Sequence, residues 1–176
     1  MSKRDYGFTI VELLIVIVVI GILAALVIST FSNVRREAQA TAIADGLSKT
    51  SKSMKAWAIG EGFSEWTLDG IYKVGGNPTL TELQEKDNFK SYLQEVPDVE
   101  GVGTEQWFYD SDLEAPKTDC TRAYAGTNIV VRYIDDTAMV QRVDEILDDG
   151  NFSCGNVRYT GNTIFYNLSY DQSIDY

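Results

Sequence analysis

One stretch constrains this chain more than any other: "GFTIVELLIVIVVIGILAALVIST", residues 7–30, almost wholly apolar yet carrying Glu12 near its front. Such a run, about 22 residues at ~1.5 Å each, is long enough to cross a hydrocarbon core of ~30 Å. One reading is a cleaved secretory signal, with Lys3 and Arg4 as its positive start. Against it, the run exceeds the usual ~7–15 apolar residues, and Val27 and Ser29 make a marginal cleavage pair. A second reading is a plain N-terminal anchor held by Lys3 and Arg4 at the cytoplasmic side. Neither gives Glu12 a task. An ionisable residue inside a membrane segment is a functional feature whose partner has to be named.

Gly7, Phe8, Thr9, Ile10, Val11 and Glu12, followed by the apolar run, resemble the amino terminus of type IV pilins and the related secretion pseudopilins. The resemblance covers residues 3–30 and takes in leader charge, the Gly-Phe junction, Thr9, the spacing to Glu12 and the run length. It implies that a membrane prepilin peptidase cuts between Gly7 and Phe8, that Phe8 is then N-methylated, and that Glu12 is the carboxylate of the motif. It further implies a leader peptide (residues 1–7), a transmembrane and polymerisation helix (8–30), an amphipathic stem helix (31–60) and a globular head (61–176).

Cleavage would free an amine at Phe8, and in a staggered helical bundle a neighbour's Glu12 could lie beside it. Opposite charges ~4 Å apart interact by about 4 kcal/mol at an effective dielectric near 20, before desolvation. Stranding one of the two in apolar surroundings costs about 3–5 kcal/mol. The pair would therefore act on register more than on cohesion. One departure stands out: the family commonly has proline where this chain has Ser29, so any bend is expected at Gly21, the softest point of the helix.

Downstream, a helical period continues. Val27, Phe31, Val34, Ala38 and Ala42, then Ile43, Leu47, Met54 and Ala58, form an expected inward stripe, with Arg35, Arg36, Glu37, Lys49, Lys52 and Lys55 mostly off it. Gly60 and Gly62 should end the helix, which would span roughly 80 Å. "PTLTELQEKDNFKSYLQ" predicts a short helix with a Thr79–Glu82 capping box. "EQWFYD" and "NIVVRYI" read as strands, and "NVRYT" and "TIFYNLS" as a hairpin around Gly161-Asn162. Between the last two pairs, Met139, Val140, Val143, Ile146 and Leu147 have helical spacing, with Asp136 or Thr137 as cap. The expected fold is α+β: a long N-terminal helix, apolar half protruding, amphipathic half packed on a roughly four-stranded antiparallel sheet. By resemblance this is the pilin fold.

Charge narrows the function classes. Residues 61–176 carry 8 Lys/Arg against 22 Asp/Glu, whereas residues 8–60 carry five against three. An acidic head without a basic cluster is a poor nucleic-acid binder. The chain has no histidine and two cysteines, Cys120 and Cys154. Outside the membrane these would pair as a disulfide, adding roughly 3–4 kcal/mol by closing a loop of about 35 residues. Many pilins carry such a C-terminal disulfide loop. Asp135-Asp136 and Asp148-Asp149 are acidic pairs, but calcium needs ~6–8 converging oxygens, and capping or solvated surface explains both. No metal, cofactor or catalytic residue is expected. "NFS" and "NLS" match the glycosylation sequon.

The resemblance thus implies a structural subunit of a type IV pilus, serving adhesion, twitching motility or DNA uptake. Its partners are other pilin subunits, membrane lipid before assembly, the prepilin peptidase/methylase and the assembly machinery. It is expected first as a single-pass cytoplasmic-membrane precursor, then in a cell-surface filament. A pseudopilin of a type II secretion or competence system is the alternative; the expected disulfide, the processed length and the lack of a clear calcium loop favour the pilus. A tethered lectin-like module, uncut and monomeric, is a third possibility of a different class.

Overall fold

The computed structural model describes residues 7–61, 78–86, 88–110, 128–151 and 155–168. Their fold is α+β. Helix α1 (Ile10–Gly60) carries both the apolar segment and the stem. The chain divides into two compact units, Met1–Glu37 and Ala38–Tyr176.

In the first unit the apolar side chains face outward on all sides. Val27, Phe31 and Val34, expected to begin the inward stripe, are 63%, 68% and 61% exposed. Burial begins at Ala40 and continues through Ile43, Leu47, Met54 and Trp57 at three- and four-residue steps. Periodicity reports an apolar face; it does not report whether one copy of the chain covers it.

The second unit is built on that buried face. Helix α2 (Leu80–Lys86), strands β1 (Trp107–Asp110) and β2 (Asn128–Arg132), helix α3 (Thr137–Leu147), and strands β3 (Val157–Thr160) and β4 (Thr163–Asn167) follow in order. Among the described residues the sheet has four strands, all antiparallel, in the order β1-β2-β4-β3. Trp107 stands opposite Val131, Val131 opposite Ile164, and Ile164 opposite Tyr159. With period two along each strand, that row and the one holding Tyr109 and Ile129 join residues of α1 and α3 in one hydrophobic core.

Local chemistry sets the boundaries. Thr79 N donates to Glu82 Oε2 (2.8 Å) and Glu82 N to Thr79 Oγ1 (3.2 Å), closing the expected capping box on α2. Asp136 caps α3, accepting from Met139 N at 3.0 Å. Gly161 (φ 53°) and Asn162 (φ 62°) both take the left-handed conformation that a two-residue hairpin of this twist requires. Met139, Val140 and Val143 are buried as expected, while Ile146 is exposed, a step off the inward face of α3.

Gly46 fixes the approach of α1 to the sheet. A Cβ there would lie 2.7 Å from Trp107 Cη2 and 3.0 Å from Pro97 Cβ. Only a residue without a side chain lets the helix backbone come so close. The partner rings add depth, with Trp57 and Phe89 tilted at 56° and their centroids 5.2 Å apart. We expect Gly46→Val to cost about 1–3 kcal/mol by overpacking, read as a lower denaturation midpoint of the detergent-solubilised chain. An unchanged midpoint would contradict this contact.

Candidate processing and assembly site

The helix starts at Ile10, which makes Thr9 its N-cap and places Glu12 in the first turn. Thr9 N and Thr9 Oγ1 each donate to Glu12 Oε2 at 2.8 Å, and Glu12 N donates to Thr9 Oγ1 at 3.3 Å. This is a capping box in which each residue satisfies the other's orphan groups. Leu13 N donates to Thr9 O at 3.3 Å and begins the helical ladder. Within one chain, Glu12 already has partners at the positive end of the helix dipole.

Within one chain the partner of Glu12 is Thr9, which the expected pairing with a neighbouring copy leaves out. The signal was present: Thr9-Ile10-Val11-Glu12 has the same spacing as Thr79-Leu80-Thr81-Glu82, which was read as a cap.

Phe8 stands immediately before the cap and is 89% exposed; Gly7, also exposed, precedes it. Among the described residues, a Cβ at Gly7 would meet nothing within 4 Å. Gly21 lies inside the helix, and α1 continues through position 29, where the family commonly has proline. The structure thus brings Thr9 and Glu12 together directly after the Gly7-Phe8 junction and leaves Gly21 farther along the same helix. Cys120 and Cys154 lie outside the described residues.

Helix α1 also contains a stretch long and apolar enough to cross a membrane, none of it buried within the chain. Leu26, Val27, Phe31 and Val34 line a shallow apolar recess on its surface, with Thr30 beside them. Thr30 Oγ1 donates to Leu26 O at 3.1 Å, so its hydroxyl is satisfied within the helix and adds no unmet polar group.

Residues 2–28 match the family model described as the prokaryotic N-terminal methylation motif. The chain is also 25% identical over 96 residues to the type II secretion system core protein G of Escherichia coli (strain K12). That alignment takes in 54% of this chain and spans 66% of the relative's length. No solved structure matches.

Replacing Thr9 by Val removes the hydroxyl that both accepts and donates in the cap. A lost cap of this kind costs about 1 kcal/mol. Amide exchange at Glu12, followed by NMR in micelles, should then quicken roughly fivefold; exchange at the original rate would contradict the capping role.

Proposed function

We propose that this type IV pilin-like chain is the precursor of a type IV pilus subunit. It is cut between Gly7 and Phe8, N-methylated at Phe8, and polymerised through the helix of residues 8–30. Pilins and pseudopilins are structural subunits rather than enzymes. The observation that carries the reading is a conjunction: a methylation motif over residues 2–28, continued by an apolar helix exposed on every face.

The mechanism is an exchange of surroundings. In the membrane, lipid covers the apolar helix, and the capping box with Thr9 partly satisfies Glu12. On assembly, neighbouring helices replace lipid, and close packing supplies the dispersion contacts. Cleavage places a new α-amine at Phe8, one residue before the cap. Glu12 of a neighbouring copy can then meet that amine. Copies stacked at another stagger leave an unpaired charge in apolar surroundings, at a cost of about 3–5 kcal/mol. A head-to-tail contact of this kind does not close on itself, so it grows as a fibre.

The second reading is a pseudopilin, favoured by the similarity to core protein G of a type II secretion system. Both readings start from a membrane-anchored precursor and share the peptidase and the assembly principle. They differ in product: a long surface fibre or a short one confined to a secretion machine. Adhesion, motility and DNA uptake are the roles a surface fibre would serve.

Intact mass of subunits sheared from the cell surface tests the proposal. We expect the mass of residues 8–176 plus one methyl group, and gold-labelled subunits along extended filaments. Recovery of single, uncut chains still carrying Met1 to Gly7 would overturn it, and labelled subunits without surface filaments would favour the pseudopilin. Glu12→Ala should yield few or no filaments while the precursor is still cut; filaments of normal length and number would refute the register argument.

A further inference from the structure

We propose that Arg35 and Arg36, with the apolar recess one turn before them, bind an anionic phospholipid. Its phosphate would sit in the leaflet opposite the one that residues 1–7 face. The inference rests on the membrane-anchored precursor and goes beyond it to the kind of lipid that the anchor selects. Past Phe31 the sequence turns polar, as Ser32-Asn33-Val34-Arg35-Arg36. From Glu12 to Arg35 the helix rises about 35 Å at ~1.5 Å per residue. With Glu12 at one edge of a hydrocarbon core ~30 Å thick, Arg35 reaches the headgroups at the other.

Cations at that end run against the usual pattern. Lys and Arg favour the cytoplasmic flank of a span, and those on the far flank oppose insertion in that sense. Here Lys3 and Arg4 stand before the apolar run, and Arg35 and Arg36 stand directly after it. The helix offers them little charge of its own, since Glu37 is the only acidic residue between Leu13 and Ala44. Before any other copy is near, lipid phosphates are the anions found at this depth.

The helix presents the parts in the order a phospholipid needs. Leu26, Val27, Phe31 and Val34 line the apolar recess, at the depth of acyl chains. Arg35 follows Phe31 at i+4, so it stands one turn above the recess on its Phe31 side. Side chains of a helix lean toward its N-terminus, which here is toward the bilayer. Arg36 shows that lean: its Nη1 donates to Asn33 Oδ1 at 3.3 Å, one turn back. Arg35 is exposed and Arg36 half-buried, and both lie outside the hydrophobic core. A guanidinium fork matches phosphate oxygens in a way that a lysine does not. The bound lipid would hold the precursor at a fixed depth and would be given up when the helix leaves the membrane.

The test is native mass spectrometry of the full chain, released from micelles doped with phosphatidylglycerol or with phosphatidylcholine of the same acyl chains. We expect phosphatidylglycerol to be retained in preference, and Arg35→Gln/Arg36→Gln to weaken its binding roughly 10–30-fold. Lys3→Gln/Arg4→Gln, which removes the cations of the other flank, should leave most of the binding in place. Glycerol 3-phosphate should not displace the lipid, because it has no chain to fill the recess. The proposal is overturned if the two lipids bind alike, if binding survives in Arg35→Gln/Arg36→Gln, if the loss follows Lys3 and Arg4 instead, or if glycerol 3-phosphate competes. The measurement is made on unassembled chains, so its outcome is separate from whether filaments form.

Discussion

A carboxylate in the first turn of a lipid-length apolar helix must be satisfied in every environment the helix visits. That constraint governs the front of this molecule. In the single chain Thr9 meets it: its backbone N–H and its hydroxyl both donate to Glu12, at the helix end where the dipole favours negative charge. The arrangement keeps an ionisable group tolerable in lipid without a second chain. It also leaves Glu12 next to the position where cleavage would place a new amine. The same side chain can thus serve as a cap before assembly and as a register group after it.

The rest of the molecule divides its burial accordingly. From Ala40 onward α1 buries one face in a core shared with α2, α3 and the sheet, and Gly46 lets it lie against Trp107 and Pro97. Up to Glu37 it buries almost nothing. A continuous helix joins a segment that completes its own core to one whose apolar surface needs lipid or other copies. Exposed apolar area on that scale marks an interaction surface. Filament growth is the reading that gives it a partner.

Much of the fold was legible because its signals are local. Thr79 with Glu82, Asp136 before an apolar-periodic helix, and Gly161-Asn162 between two β-branched runs each name a boundary by backbone chemistry alone. What the sequence left hidden depends on who covers whom. Val27, Phe31 and Val34 have the same spacing as the core residues but no cover in one chain. The Gly46–Trp107 contact joins residues 61 positions apart. Asp144, on a helix whose neighbouring Glu145 is exposed, is buried only through tertiary packing. Thr9 was legible too, since it stands three residues before Glu12 at capping-box spacing, but a carboxylate in an apolar run points first to a partner outside the chain.

The most direct test of the account is a helical reconstruction of the assembled fibre at side-chain resolution by electron cryomicroscopy. The prediction is that the N-methylated amine of Phe8 in one copy lies about 3–4 Å from the Glu12 carboxylate of a neighbour, with the apolar faces of residues 13–34 packed on one another. A fibre in which Glu12 still caps only its own Thr9, with no neighbouring amine in reach, would contradict it.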